Sequence, residues 1–292
     1  ERPLTAKAIE CGYMRGIRSF EKFLERPAKL SDLTAPQVNG FIAALDGTRS
    51  PTTVSNYLRY LLMFWRYAFE LEIIAQLPRR IRKVKVPRLI VEGWDSQQVG
   101  TLLATIDKLD GSFRKTGIER RLWWRAFILT LWYTGLRLSD VLRLEIGGMT
   151  PLADGSARLT VVMSKTGDVI HRLLPPEAMQ AIAACMASGT ERELLFPLWI
   201  CRRRFHRVAK LLIASAGLRG TLKWLRRGGA SEAENLRAGA GRLHLGHRTA
   251  GLFESNYRVD RIAGQQITLP PAPAFTPTLR LEHKPTANGG AQ

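Results

Sequence analysis

The stretch from Thr221 to Arg258 reads TLKWLRRGGASEAENLRAGAGRLHLGHRTAGLFESNYR. An apolar turn precedes a pair of arginines, Arg226 and Arg227. A small-residue spacer follows, then His247 within Leu-Gly-His, then a lone tyrosine, Tyr257. Guanidiniums, an imidazole and a phenol in one basic segment suit chemistry on a phosphate. Cutting a phosphodiester without a metal needs two guanidiniums on the non-bridging oxygens, a nucleophile held in line and a proton donor for the departing sugar oxygen. Magnesium would need clustered carboxylates. No such cluster stands near the arginines, so a metal-free, cofactor-free route is preferred. His244 and His247 lack the Cys or carboxylate companions that would make a zinc site.

The charge balance points to the partner. The chain carries 44 basic and 25 acidic side chains, a net charge of +19. Between Cys201 and Arg261 there are fourteen basic residues against four acidic ones. Such self-repulsion is best tolerated opposite a polyanion, nucleic acid first among them. A membrane surface fits less well, because there is no apolar run of ~18 residues and no basic amphipathic anchor. The start, ERPLTAKAIE, has no signal-peptide core and no Met, so the natural N-terminus is expected upstream. Three scattered cysteines without a CxxC fit a reducing compartment. The expected location is therefore cytoplasmic, on the nucleoid.

At 292 residues, two domains are expected. Residues 1–77 read as helical. Tyr13, Ile17, Phe20 and Phe23-Leu24 mark one apolar face; Thr34 suits a helix cap before Pro36. Ser50-Pro51 opens the clearest helix, with Val54, Tyr57, Leu58, Leu61, Trp65, Ala68 and Phe69 at helical spacing. Arg59 and Arg66 lie on its other side, as a solvated face or as contacts to a DNA backbone. Residues 78–92 form a basic linker: PRRIRKVKVPR has six cations, among them Arg79, Arg80, Arg82, Lys83 and Lys85, and no acid. Proline and β-branched residues disfavour helix there, and the charges would attract a phosphate backbone.

The second domain, 93–264, opens on Asp95 and Gln98 at capping-box spacing. A bulky helix over 118–134 ends at Gly135, and Ser139 suits the cap of the next. Residues 157–163 and 169–174 read as two strands around a turn at Ser164–Asp168. Helices are expected at about 176–187 and 199–216. The last segment, 265–292, holds five prolines and reads as a mobile tail or docking arm. The fold class is mainly α with a small antiparallel β-sheet.

YTGLRLSDVLRLE, Tyr133 to Glu145, resembles the first arginine box of the tyrosine recombinases, the phage-integrase family. That resemblance implies a helical core-binding domain ahead of a mixed α/β integrase-type catalytic domain. It makes Arg137 the first phosphate-binding arginine. Lys165 in the hairpin turn matches the lysine that protonates the leaving 5′ oxygen. KWLRR resembles the second box, with Arg226 as the second arginine and Lys223 where the family usually carries His. LGH puts His247 at the second histidine position and Tyr257 at the nucleophile. The order Arg, Lys, Arg, His, Tyr spans roughly Asp95 to Arg261. A cationic lysine at 223 can donate to a phosphate but cannot take the phenol's proton, and the surrounding cations would lower a phenol pKa of ~10.

By resemblance the protein is a site-specific DNA recombinase that cuts and rejoins duplex DNA through a 3′-phosphotyrosine. It would assemble as a homotetramer on DNA, with an accessory directionality factor as a further partner, in the manner of mobile elements. Two rivals share the residues. One is a catalytically idle DNA-binding protein on the same scaffold, which Lys223 favours; the other is a type IB topoisomerase. Taken singly, each residue also has a plainer role. Arg137 could pair with Asp140, Lys165 could be a solvated turn lysine, and Tyr257 could be a core tyrosine.

Overall fold

The computed structural model describes residues 12–77, 79–87, 92–164, 167–190, 192–198, 200–237, 240–245 and 271. The chain divides into two units, Glu1–Ile90 and Val91–Gln292. In the first, α1 (Met14–Leu24), α2 (Ala35–Leu45) and α3 (Pro51–Glu70) share one apolar centre. Phe20, Val38, Phe41, Val54, Leu58, Leu61 and Trp65 are buried there, each burial contributing roughly 1.5–3 kcal/mol. The α3 pattern follows its sequence closely. Ser50 accepts from the Thr53 backbone N–H at 3.3 Å, Pro51 sits where no N–H is needed, and Arg59 and Arg66 are exposed. Thr34 occupies the cap position of α2, but its hydroxyl makes no capping bond.

The basic segment after α3 is extended, yet it is not a free spacer. Ile81 and Val84 turn onto the apolar centre of this unit. Asn39 on α2 grips the backbone between them, donating to the Arg80 carbonyl at 3.1 Å and accepting from the Arg82 N–H at 2.8 Å. Alternation inside a charged run does this: the apolar residues face in while Arg79, Arg80, Arg82, Lys83 and Lys85 remain exposed.

The second unit begins with α4 (Ser96–Ile106), whose capping box is complete. Asp95 accepts from the Gln98 N–H at 2.7 Å, and Gln98 accepts from the Asp95 N–H at 3.2 Å. Next comes α5 (Arg120–Thr134), buried on every side from Trp123 to Thr134, as expected of a central helix. Its two threonines, Thr130 and Thr134, satisfy their hydroxyls on carbonyls four residues back, and Arg125 is paired with Asp107 at 2.7 Å. Gly135 closes α5 in the left-handed conformation, φ 57°.

The short α6 (Leu138–Val141) follows. Ser139 lies inside it and Arg137 takes the cap position, because the reversal at Gly135 buries Leu136 and starts the helix early. Then come β1 (Met149–Pro151), β2 (Ala157–Val162) and β3 (Val169–Leu174), an antiparallel sheet in that order. Sequence reading missed β1, which is three residues long and ends in proline. The remaining helices are α7 (Pro176–Ala187), α8 (Arg202–Ser215), α9 (Lys223–Leu236) and α10 (Ala240–Leu245). Helix α8 starts later than expected, at Arg202, with the exposed Cys201 as its cap residue. Among the described residues no helix is long and apolar enough to cross a membrane.

Candidate active site

Four elements of the second unit set the geometry: the turn after α5, the hairpin β2–β3, and helices α9 and α10. Tyr133 donates to Glu177 at 2.5 Å, which pins the end of α5 to α7 just before the turn. Two residues past that turn's glycine, Arg137 adopts an extended backbone, and its side chain is 29% exposed. Its Nη1 lies 3.9 Å from Asp140 Oδ2, an ion pair too long to be a hydrogen bond. Asp140 is fully buried and turns its other oxygen to the hairpin. Oδ1 accepts from the Ser164 N–H at 3.0 Å and from its hydroxyl at 2.5 Å. The residue next to Lys165 is thereby latched to the helix that follows Arg137.

Arg226 comes from the first turn of α9. Packing against the start of the unit holds that helix. The Trp94 N–H reaches the Trp224 carbonyl at 3.3 Å and the Trp94 indole reaches the Arg219 carbonyl at 2.8 Å. Gly228 permits the approach: a Cβ there would lie 1.7 Å from the Trp94 carbonyl oxygen. Burial lowers the pKa of Arg226 to about 10, and the nearby charge of Arg137 lowers it further in sense, with Asp140 opposing. The two arginines are thus close enough to repel. Adjacent Arg227 is exposed and, among the described residues, reaches the Glu92 carbonyl at 3.5 Å, which separates the two members of the pair.

Lys223 is exposed at the first position of α9, one turn ahead of Arg226. Lys165, His247 and Tyr257 lie outside the described residues. The seven cations singled out in the first unit are on its surface: Arg59 lies 5.5 Å from the centre of the Tyr60 ring, and Arg82 pairs with Asp46 at 3.2 Å. Of the terminal segment, Pro271 is described, and its carbonyl accepts from the buried Trp132 indole at 3.1 Å.

Two further residues border the arginines. His244 on α10 is 5% exposed, and its ring fills the space left by two missing side chains. A Cβ at Gly135 would lie 2.7 Å from His244 Nε2, and one at Gly229 would lie 2.9 Å from it. Burial, with the charges of Arg172 and Arg226, lowers its pKa to about 3, so the imidazole is neutral. Arg172 on β3 donates from Nε to the Thr134 carbonyl at 2.9 Å and from Nη1 to the His171 carbonyl at 2.8 Å. Burial, then the charge of Arg226, lowers its pKa to about 10, which leaves it cationic at neutral pH. No sequence signal marks either residue: one is a histidine in an apolar turn, the other an arginine within VIHRLL.

No protein-family model and no curated protein matches the chain. Solved structures do. A XerH site-specific recombinase bound to palindromic difH substrate, in a post-cleavage complex, aligns with a TM-score of 0.65 at 18% identity, over 82% of this chain and 73% of that one. A lambda integrase tetramer bound to a Holliday junction aligns at 0.64 and 18%, over 91% and 75%. The Tn1549 transposon integrase in complex with a circular intermediate DNA aligns at 0.64 and 14%, over 89% and 95%. The chain has the tyrosine-recombinase fold. The likeness spans most of its length, from the helical first unit into the sheet-bearing second.

Proposed function

We propose that the protein is a site-specific DNA recombinase of the tyrosine type. The observation that carries this reading is the pairing of Arg137 and Arg226, with buried Asp140, inside this fold. Two like charges brought together in a partly desolvated place call for an anion, and a phosphodiester supplies one. In the reaction, the Tyr257 phenol gives its proton to solvent, its pKa lowered by the surrounding cations, and the phenolate oxygen attacks the scissile phosphorus as the bond to the 5′ oxygen breaks. That oxygen takes a proton from Lys165 and leaves as a 5′ hydroxyl, while the phosphate remains on Tyr257 as a 3′-phosphotyrosine. A 5′ hydroxyl from a partner strand reverses the step. Arg137 and Arg226 hold the non-bridging oxygens, and His247 and Lys223 add hydrogen bonds. No metal or high-energy cofactor enters the balance, because the phosphotyrosine conserves the bond.

Arg59, Arg66, Arg79, Arg80, Arg82, Lys83 and Lys85 are surface cations suited to the duplex backbone, which they would grip without reading its sequence. The related lambda integrase forms a tetramer on a Holliday junction, which supports a homotetramer on DNA for this chain. An accessory directionality factor and a docking role for the terminal segment belong to the same reading.

The test is a nicked suicide version of the protein's own target DNA, with covalent adduct as the readout. Wild type forms the adduct and Tyr257→Phe does not. An adduct from Tyr257→Phe removes Tyr257 as the nucleophile. No adduct from wild type leaves the idle DNA-binding protein, and relaxation of supercoiled plasmid by a monomer identifies a type IB topoisomerase.

A further inference from the structure

Arg172 stands where a hydrophobic side chain would be expected. In β2, Ala157, Leu159 and Val161 are buried and alternate with exposed Arg158, Thr160 and Val162. Arg172 is the register partner of Leu159, and residues directly opposite in an antiparallel pair share a face of the sheet. A guanidinium therefore occupies the inward face of the hairpin. It is held there by the two carbonyls of Thr134 and His171, at 2.9 and 2.8 Å. One carbonyl closes α5, three residues before Arg137. The other belongs to its own strand. The remaining nitrogen, Nη2, has no hydrogen-bond partner among the described residues, and the side chain keeps part of its surface open.

The charge count around it is uneven. Arg137, Arg172 and Arg226 form a chain of mutual repulsion in which Arg226 is the common neighbour. Asp140 is the one carboxylate among these groups, and Ser164 already engages one of its oxygens. His244 contributes a ring without a charge. Lys165 and Lys223 bring further positive charge to the phosphate in the proposed reaction. A phosphodiester carries one negative charge. The pentacoordinate species formed when a phenolate adds to it carries two, so an additional guanidinium beside it stabilises the transition state more than the bound substrate.

We infer that Arg172 is a third phosphate-contacting arginine of the site, fixed by the Thr134 and His171 carbonyls so that Nη2 meets a non-bridging oxygen in the transition state. This rests on the recombinase reading for the identity of the reaction, though not for the existence of the anion site.

Two measurements separate the two ideas. Orthovanadate, a mimic of pentacoordinate phosphate, is titrated into the full-length protein and its effect on Tm is followed. Wild type is stabilised, Arg172→Gln is not, and Lys108→Gln, at an exposed position after α4, behaves as wild type. The single-turnover rate of adduct formation on suicide DNA then falls ~100-fold in Arg172→Gln, the size seen on removing one oxyanion donor, with Kd for the duplex within about 3-fold of wild type. Arg172→Lys, which keeps a cation but loses the fork, lies between them in both assays. If wild type shows no vanadate shift, or Arg172→Gln keeps it, the inference is overturned; in the latter case a slow Arg172→Gln makes the residue a brace for the hairpin. If vanadate discriminates Arg172→Gln but wild-type protein forms no adduct, the anion site stands and the recombinase reading falls.

Discussion

Asp140 Oδ1 accepts from both the backbone N–H and the hydroxyl of Ser164, at 3.0 and 2.5 Å, and so ties the hairpin turn to the helix that follows Arg137. In the proposed reaction those two segments carry the proton donor and a phosphate ligand, which must be placed together to within a fraction of an ångström. Asp140→Asn keeps an oxygen for the Ser164 N–H but loses the negative charge that strengthens both bonds and faces Arg137. The expected result is a ~10–100-fold slower single-turnover adduct rate on suicide DNA, with duplex Kd little changed. A wild-type rate in Asp140→Asn would leave the latch without a catalytic role.

Backbone contact between α9 and Trp94 leaves no room at Gly228. The obstacle to a Cβ is a carbonyl oxygen at 1.7 Å, which cannot swing aside as a flexible side chain would. Gly228→Ala is expected to destabilise the second unit by about 3 kcal/mol or more, read as a lower urea midpoint. Gly147 meets nothing within 4 Å and is the control; Gly147→Ala should stay within roughly 1 kcal/mol of wild type. Equal effects at the two positions would deny the close approach.

His244 makes stability depend on acid. Its folded pKa of about 3 lies below the ordinary ~6.5, so between those values the unfolded chain binds a proton that the folded chain refuses. The imidazole therefore costs nothing above pH ~6.5, and stability is lost progressively as pH falls from there towards 3, at up to about 1.4 kcal/mol per pH unit. Urea unfolding of wild type and His244→Asn at pH 5 and pH 7.5 checks this: the fall between the two should be smaller in the variant. Parallel losses would mean that His244 is accessible to protons in the folded state.

Asn39 holds the basic segment against the first unit through the Arg80 carbonyl and the Arg82 N–H. Replacing it with Ala removes two hydrogen bonds of about 1 kcal/mol each and frees a backbone with five exposed Arg or Lys side chains between 79 and 85. Tryptic nicking in that segment is expected to accelerate ~5–30-fold while the Tm of the protein changes little. Protection equal to wild type would show that Ile81 and Val84 suffice to hold the segment down.

Local chemistry was readable wherever a residue acts on its own neighbours in the chain. Ser50-Pro51 and the Asp95/Gln98 box define helix starts because the capping bonds span three residues. Gly135 stops α5 because its φ of 57° suits glycine, and alternation marks β2 because its period is two. Where local signals are weak the fold departs from the sequence expectation: Ser139 is inside α6, and β1 is too short to carry a period. The same locality makes Thr-Gly-Leu-Arg and Leu-Arg-Arg recognisable as motifs, with Arg137 and Arg226 as candidates.

Packing decided the rest. Arg226 is half-buried and within range of the charge of Arg137 while Arg227 is exposed, on a helix that Gly228 lets press against Trp94. Arg172 reaches the Thr134 carbonyl, 38 residues away, because β3 pairs with β2 in one register; a shift of one residue would turn it to solvent. His244 is a neutral filler between Gly135 and Gly229, two residues far apart in sequence whose missing side chains leave room for the ring. The sequence by itself marked Arg137 and Arg226 as candidates for binding a phosphate, and it did not mark Arg172. Only the tertiary structure decided which of them stand together, since charge repulsion, burial and strand register act between segments that the linear chain keeps apart.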